Sequence, residues 1–419
     1  MDKANRLADF DYPSEEVLEN PFPFYKALRE DAPVHQIPSG AYMITRYEDV
    51  VAIARQPELF SSHIGPSNPG LNGDYGLDVD TSGRFTPWQA PFSDPPEHRL
   101  KRALGQQLTV PRRLRSFEPI IEKHVDALID GFIDKGEADF KAQFADKLPV
   151  LVVNEIFGLE TQPRPAVALD SSGRKMTGGG VGSLLSSPEQ KAALKDQARE
   201  RAKYYREVIL DRLENPRDDY ASHMVQMKME RDGELDLAYL TVELMNFHGA
   251  GIGTTAHMLA SAMTLLLQHP DEVEMLRADP SRAGRVIDEA LRLECPVQWL
   301  QRVVMQDTEI HGAPIKKGDY VLLVWAAANR DPSQFEDPDR FWPDRPGAKD
   351  DRIIGPVAFG HGIHTCIGGP LARVEGKTSL NRMLARTRNL RLTETNDFQH
   401  ILDMNHRAPL AVHVAFDQA

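Results

Sequence analysis

Cysteine is almost absent from this sequence. Only Cys295 and Cys366 occur among 419 residues. Two cysteines can form at most one disulfide, which is of little use as a framework in a secreted protein of this size. The cysteine count therefore favours a reducing compartment, and we expect a cytoplasmic protein.

Long apolar runs and an excess of positive charge are also missing. Nowhere do eighteen uncharged apolar residues follow one another, and the acidic start has no apolar stretch of signal-peptide length. We therefore expect no membrane partner. The formal net charge of −13 disfavours a surface that neutralises phosphates, so we also expect no nucleic acid partner.

The apolar pattern predicts a mainly α fold with small β-sheets at its periphery. No fixed repeat or long linker is visible, so we expect residues 1–419 to form a single domain. Two segments rich in glycine, 64–90 and 170–187, are predicted to be lids or binding loops. Helical spacing is found in residues 115–135, 142–158, 191–214, 237–268 and 281–294 and again after Cys366, and strand patterns near residues 33–46, 301–311, 319–325 and 408–416.

The clearest motif is FGHGIHTCIG, residues 359–368. Its glycines permit turns with positive φ, and a helix predicted from about Pro370 lowers the pKa of the Cys366 thiol through its N-terminal dipole. A thiolate in this position binds metal. Two alternatives are a buried, inert cysteine and a zinc site with His361 and His364, although a closed zinc site needs a fourth ligand.

This motif resembles the heme-binding signature of the cytochrome P450 superfamily. The match covers every fixed position of that signature: Phe359, Gly360, Gly362, His364, Cys366 and Gly368. The resemblance implies the P450 fold, with a minor β-rich N-terminal region, a major helical region, and heme b between a distal helix and the helix after the cysteine. It also implies that Cys366 is the iron ligand, that Phe359 packs beside its sulfur, and that His364 contacts a propionate.

Other segments agree with this resemblance. Glu289 and Arg292 are similar to the family's structural ExxR pair, and residues 328–345 resemble the segment that follows that pair in the family. Buried propionates need charged or hydrogen-bonded partners. The family's propionate partners are similar to three basic residues that would act together with His364. These are His98, which lies in the distinctive sequence DPPEH, Arg102 and Arg302.

Residues 246–257, NFHGAGIGTTAH, contain three glycines inside a long apolar helix. They are similar to the family's oxygen-side helix, and this resemblance gives Thr254 the catalytic role of stabilising bound oxygen and helping to deliver protons. The family usually has an acid directly before this threonine, where this chain has Gly253. A water chain, or less plausibly His257, is the predicted substitute.

The resemblance also predicts the substrate and the partners. The substrate is expected to be a small hydrophobic organic molecule. No flavin or iron–sulfur motif is visible, so electrons must come from a ferredoxin or flavodoxin with its reductase, docked on a basic patch. The predicted substrate contacts are Asn246, Gly249, Ala250, Val297, Gln298 and Trp299, and the predicted patch is Arg99, Lys101, Arg112, Arg113, Arg115, Arg373 and Lys377.

The sequence thus predicts a heme-thiolate monooxygenase that inserts one atom of O2 into its substrate, by hydroxylation or oxidative dealkylation. Two alternatives stay open. Gly253 at the usual acid position makes a peroxide-driven oxygenase plausible. A heme protein that binds a ligand without turnover is the alternative outside enzymes, although Thr254 and the complete cysteine motif argue against it.

Overall fold

The computed structural model describes residues 7–63, 90–160, 188–346 and 355–419, with backbone only for residues 188–200. Apart from Ala90, the predicted binding loops 64–90 and 170–187 lie outside the described residues. The described elements are mostly helices, as predicted. Residues 141–145 form a short π-helix between the fifth and sixth helices. The helices are α1 Glu15–Glu19, α2 Phe22–Asp31, α3 Tyr47–Ala54, α4 Glu97–Gln106, α5 Pro111–Asp130, α6 Leu148–Phe157, α7 Pro188–Glu214, α8 Tyr220–Asp232, α9 Leu237–Leu267, α10 Pro270–Ala278, α11 Ala283–Leu293, α12 Trp325–Ala328 and α13 Gly369–Arg386.

The described strands form small sheets, which also agrees with the prediction. A five-stranded sheet has the order β1-β2-β8-β5-β3, a three-stranded sheet has the order β4-β10-β9, and β6 and β7 form a hairpin. Within the first sheet β2 and β8 are parallel, whereas β5 is antiparallel to β8. The strands are β1 Val34–Gln36, β2 Tyr42–Ile44, β3 Phe60–Ser61, β4 Glu137–Asp139, β5 Leu300–Val304, β6 Thr308–Ile310, β7 Ala313–Ile315, β8 Tyr320–Leu323, β9 Thr387–Leu392 and β10 His413–Gln418.

Two apolar clusters hold these elements together. The larger one surrounds α9, with Ile121 of α5, Val152 of α6 and Leu259 of α9 fully or almost fully buried. The second lies between the five-stranded sheet and the N-terminal helices and includes Met43 and Trp325. Each side chain of this kind contributes roughly 1.5–3 kcal/mol when it leaves water.

Helix α9 is the central element of the helical cluster. It packs against α6, α7, α11 and α13. Among the described residues it is the one helix long and apolar enough to cross a membrane, but 61% of its most apolar stretch is buried inside the protein. Its apolar character is therefore explained by its place in the core.

A buried ion pair fixes the chain segment that leads to the cysteine motif. Arg292 is fully buried and makes two 2.8 Å hydrogen bonds to the carboxylate of Glu289. Its guanidinium also donates to the backbone oxygens of Asn329 and Pro338. Asn329 Oδ1 in turn accepts the Val357 N–H at 2.7 Å, shortly before the motif. The pair is therefore a structural support for the site.

Candidate active site

The cysteine motif forms a tight loop between Val357 and the start of α13. The N–H of Cys366 donates to the oxygen of Phe359 over 2.8 Å, which closes the loop. Gly360 and Gly362 have φ angles of +71° and +75°, which side chains rarely adopt. A Cβ at Gly362 would lie 2.5 Å from the oxygen of Ala54. Glycine is therefore required there, because the loop packs against the end of α3.

Cys366 lines a cavity at the N-terminus of α13. It is exposed to that cavity, although protein surrounds it elsewhere. Burial raises the pKa of the thiol, while hydrogen bonds from the backbone N–H groups of Gly368 and Gly369 and the charges of Arg102 and Arg373 oppose the rise. These donors stabilise a thiolate once a metal ion replaces the proton.

Phe359 belongs to the wall of the same cavity. Its ring touches the backbone of Gly369, where a Cβ would be 3.3 Å away. The guanidinium carbon of Arg373 lies 4.5 Å from the ring centre, and Arg373 donates to Asp288 over 2.6 Å. Phe359 thus lines the same cavity as Cys366, and its packing against the sulfur stays a prediction.

The cavity has a volume of about 300 Å³ and lies between α9 and the cysteine loop. Its surface is mainly apolar. The loop contributes Cys366 and its neighbours at one side, and Ala90 and Pro91 contribute at another. The wall formed by α9 consists of Asn246, Phe247, Ala250, Thr254, Thr255 and Met258.

Four basic side chains meet at one edge of this cavity, as the sequence predicted: His98, Arg102, Arg302 and His364. The rings of His98 and His364 are 4.3 Å apart, and Arg102 donates to the oxygen of Thr365 over 2.5 Å. Burial lowers the pKa of Arg302 to about 10. Burial, with Arg302, His98 and Arg102 nearby, lowers the pKa of His364 to about 2.

This basic cluster lacks a matching set of acids among the residues that the structure describes. Neither ring nitrogen of His364 has a hydrogen-bond partner, although both are buried. The charge of Asp94 opposes the lowering of the pKa of His98 and of Arg302. The oxygens of Asp94, however, accept hydrogen bonds from the Ser61 hydroxyl and the Ser62 N–H. Buried donors and cations without partners are costly, so the edge fits a ligand that carries negative charge.

These observations fit heme. One end of the cavity supplies a cysteine sulfur with two backbone N–H donors, the walls are apolar, and the edge supplies basic groups for two carboxylates. The zinc alternative finds no support, because no group of three or more His, Cys, Asp or Glu residues placed to hold a metal occurs in the described part of the chain. His361 instead accepts a 2.8 Å hydrogen bond from Arg55.

Thr254 faces the cavity across from the cysteine loop. Its hydroxyl donates to the oxygen of Ala250 over 2.8 Å, one turn earlier in α9. A Cβ at the neighbouring Gly253 would meet nothing within 4 Å, so the helix has open space where an acid was expected. His257 does not line the cavity, and burial together with His406 lowers its pKa to about 3.

The structure brings only some of the predicted substrate contacts to the cavity. Asn246, Ala250 and Val297 line it, whereas Gly249, Gln298 and Trp299 do not. Gln298 and Trp299 are buried and donate instead to the backbone oxygens of Cys295 and Met404. Buried polar groups need such partners, and this need turns both side chains away from the cavity.

Sequence reasoning missed Leu300, which follows these residues and lines the cavity. Its exposed fraction of 43% is unusual for a leucine in a strand.

The predicted basic patch also needs correction. Lys101 is buried and contacts Ser93 and Glu97, while Arg99, Arg112 and Arg115 are exposed. Helical spacing alone did not distinguish the buried lysine from the exposed arginines.

Comparison with known proteins agrees with this site. The family model "Cytochrome P450" matches residues 185–405. The chain is 32% identical to 6-deoxyerythronolide B hydroxylase of Saccharopolyspora erythraea over 370 residues, 86% of this chain and 87% of that protein. It is 31% identical to vitamin D(3) 25-hydroxylase of Pseudonocardia autotrophica over 375 residues, 88% and 86% of the two chains.

A solved structure, that of P450BioI in complex with a fatty-acid-ligated acyl carrier protein, superimposes with a TM-score of 0.80 at 27% identity. The superposition covers 96% of this chain and 99% of that one. The predicted fold is thus confirmed. The chain belongs to the cytochrome P450 family and is a monooxygenase of the bacterial type.

Proposed function

We propose that this P450 holds heme b through Cys366 and hydroxylates or oxidatively dealkylates a small hydrophobic molecule, with electrons from a ferredoxin or flavodoxin and its reductase. The observation that carries the proposal is the arrangement of the cavity, with a sulfur at one end and a basic cluster at its edge. Heme held there would supply the oxygen-activating chemistry of the family. We also expect residues 1–419 to act as one domain in the cytoplasm.

In this proposal the chain's own groups hold and orient the cofactor. The N–H groups of Gly368 and Gly369 stabilise the charge on the Cys366 sulfur. His98, Arg102, Arg302 and His364 would bind the two propionates, and the ring N–H of His364, which has no partner among the described residues, would donate to one of them. Charge-assisted hydrogen bonds of this kind are roughly twice as strong as neutral ones.

Thr254 is the proposed catalytic residue. Its Oγ1 presently donates to Ala250, and rotation about one bond would let the same O–H donate into the cavity. A Cβ at Gly253 would meet nothing within 4 Å, and no acid is found among the described residues that line the cavity. In this proposal water therefore brings the proton to Thr254 Oγ1. His257 is a poor candidate for this step, because its low pKa keeps it neutral and it lies outside the cavity wall.

The walls determine which substrates enter. Phe247, Met258, Val297 and Leu300 present apolar surface, which binds hydrophobic molecules and excludes water. Asn246 is the one amide in the described lining. The proposed substrate is therefore mainly apolar with few polar groups. Two relatives are named as hydroxylases of 6-deoxyerythronolide B and of vitamin D(3).

The decisive experiment compares the absorption spectrum of the reduced protein under carbon monoxide before and after Cys366→Ser. We expect a red-shifted Soret band in the native protein and its loss in the variant, because serine cannot supply the thiolate. Leu300→Ser, which changes the cavity wall but not the sulfur, is the matched control and should keep the band. A colourless native protein, or a band that survives Cys366→Ser, would disprove the proposal.

Gly253 supports a second candidate, a peroxide-driven oxygenase, because peroxide already carries the two electrons and the protons that the reductive route must deliver. Product formed with hydrogen peroxide alone, at a rate equal to that with reductase and redoxin, would favour it. Binding of substrate without any product under either condition would instead favour a heme protein that only binds its ligand.

A further inference from the structure

Trp325 is a buried tryptophan in the wall of the cavity, and sequence analysis gave no indication of its importance. It is only 1% exposed, and it lines the same cavity as the basic cluster. Its indole Nε1 is buried and has no hydrogen-bond partner among the residues that the structure describes. An indole N–H can only donate, and a buried donor without a partner is costly. The position therefore needs an acceptor.

The backbone that carries this indole is held on both sides. Trp325 is the first residue of α12 and follows β8 directly. The N–H of the preceding residue, Val324, donates to the oxygen of Ile44 over 3.0 Å, and the N–H of the following residue, Ala326, donates to the oxygen of Gln298 over 3.2 Å. These bonds tie Trp325 to two other segments, so its side chain projects from a fixed point of the fold.

One edge of the indole lies against the cysteine loop. A Cβ at Gly360 would be 4.0 Å from Cζ2 of Trp325 and 3.8 Å from the backbone oxygen of His364. Cζ2 and Nε1 are bonded to the same ring carbon, so the edge that approaches Gly360 is the edge that carries the N–H. The donor of Trp325 therefore lies on the side of the loop that holds His364, a member of the basic cluster.

The acceptor for this N–H has to come from a ligand. No acid is present among the described residues that line the cavity. The basic cluster also spends some of its own donors on the backbone, since Arg302 donates to the oxygen of Gln301 over 2.8 Å and Arg102 donates to the oxygen of Thr365 over 2.5 Å. An ionised carboxylate has about four acceptor sites. Two carboxylates at this edge can therefore accept more hydrogen bonds than the cluster has left to donate.

We propose that the Nε1–H of Trp325 donates a hydrogen bond to a carboxylate of the bound heme and is a fifth residue that holds the cofactor at this edge. This inference rests on the proposed function. A neutral donor strengthens the grip on a carboxylate without adding positive charge to a cluster of four basic groups, and a hydrogen bond to a charged acceptor is roughly twice as strong as one to a neutral acceptor. The competing acceptor is an uncharged oxygen of the substrate.

The test measures cofactor release from the full-length, substrate-free protein to an excess of apomyoglobin. Trp325→Phe keeps an aromatic ring in place and removes the N–H. Native protein and variant are each loaded with heme b or with heme dimethyl ester, in which both carboxylates are neutral. We expect the variant to release heme b about tenfold faster than the native protein, which corresponds to roughly 1.4 kcal/mol. For the ester the acceleration should be only about threefold, because the lost hydrogen bond is about half as strong.

Trp299→Phe is the matched control. Trp299 is also buried, but its N–H donates to the oxygen of Met404 over 2.7 Å and it does not line the cavity. Any loss of packing in this control should accelerate the release of heme b and of the ester by the same factor. Equal factors for the two cofactors in Trp325→Phe would overturn the inference, because packing alone would explain them. A larger factor for heme b in both variants would also overturn it.

A second measurement applies even if Trp325→Phe fails to fold. The chain has only four tryptophans, so the indole N–H signals of protein labelled with ¹⁵N can be assigned by replacing the other three one at a time. The spectra are recorded in the diamagnetic ferrous carbon monoxide state, with heme b and with the dimethyl ester, whose ring currents are the same. We expect the proton signal of Trp325 to lie further downfield with heme b, because its acceptor is charged. A signal at the same position with both cofactors would contradict the inference.

The carbon monoxide absorption spectrum separates this inference from the proposed function. It is recorded first, for the native protein and each variant with heme b. Absence of the red-shifted band in the native protein would remove the proposed function itself. A normal band together with release rates and an indole signal that do not depend on the charge of the cofactor's carboxylates would reject only the role of Trp325 and leave the heme-thiolate proposal in place.

Discussion

At the scale of single residues, Glu375 shows how burial of one acid affects the stability of the chain. It lies fully buried in α13, and its Oε2 has no hydrogen-bond partner among the described residues. Burial raises its pKa from 4.5 to about 8. Between these two values the folded state holds a proton that the unfolded state has lost, so stability decreases as the pH rises through this range.

We therefore predict that Glu375→Gln reduces the loss of thermal stability between pH 6 and pH 8.5. Glutamine has the same shape and cannot ionise, so the variant should gain stability relative to the native protein as the pH rises. Thermal unfolding across this range measures the effect. Glu309→Gln, at an exposed position of β6, serves as control and should follow the native curve; an equal slope for Glu375→Gln would refute the explanation.

At the scale of elements, the packing of the cysteine loop on α3 depends on a glycine. Gly362→Ala would place a Cβ 2.5 Å from the oxygen of Ala54 at a φ of +75°, so both backbone strain and a collision result. We predict a loss of several kcal/mol, above the ~1–2 kcal/mol that positive φ alone costs, together with weaker heme retention. Chemical denaturation and heme release measure the two effects.

Gly312→Ala is the matched control for this prediction. Gly312 has a φ of +79°, but a Cβ there would meet nothing within 4 Å. This variant should lose only the stability attributable to backbone strain and should keep its heme. Equal losses in the two variants would show that the contact with Ala54 relaxes without cost.

The helices and strands show which parts of the fold could be predicted from the sequence. The long helix α9 was found because its apolar pattern runs over 31 residues, and the strands near residues 301–325 because turn signals stand beside them. The helices α2 and α3 were missed because they have only 10 and 8 residues, and α8 was missed because it is more polar. Helix α8 is also the only described helix between α7 and α9, a region where no helix was predicted.

Some residues of the site could be predicted from the sequence, and others could not. The resemblance located Cys366, Phe359 and the four basic residues at the cavity edge, since their motifs have a fixed spacing. Gln298 and Trp299 do not line the described cavity. Adjacent residues of an extended segment point in different directions, and a sequence does not reveal which backbone oxygen will hold each side chain.

At the scale of the whole molecule, the distribution of charge predicts how the redox partner associates. The chain carries a net charge of −13, yet Arg99, Arg112 and Arg115 are exposed on α4 and α5. We predict that Arg112→Glu slows reduction by an acidic ferredoxin about tenfold at low salt, because it removes electrostatic attraction. The difference should shrink as salt screens the charges.

Stopped-flow reduction at several salt concentrations measures this effect. Arg388→Glu makes the same charge change at an exposed position of β9 and serves as control, with a rate close to that of the native protein. Equal slowing in both variants would indicate a general effect of net charge, and rates that do not change with salt would exclude docking by charge.

The four basic residues at the cavity edge also determine when the pocket can be completed during synthesis. His98 and Arg102 belong to α4, Arg302 to β5, and His364 to the cysteine loop. A ribosome makes them in that order, so the first pair waits for more than 260 residues before its last partner exists. Capture of the cofactor is therefore a late event, possible only when the nascent chain is nearly complete.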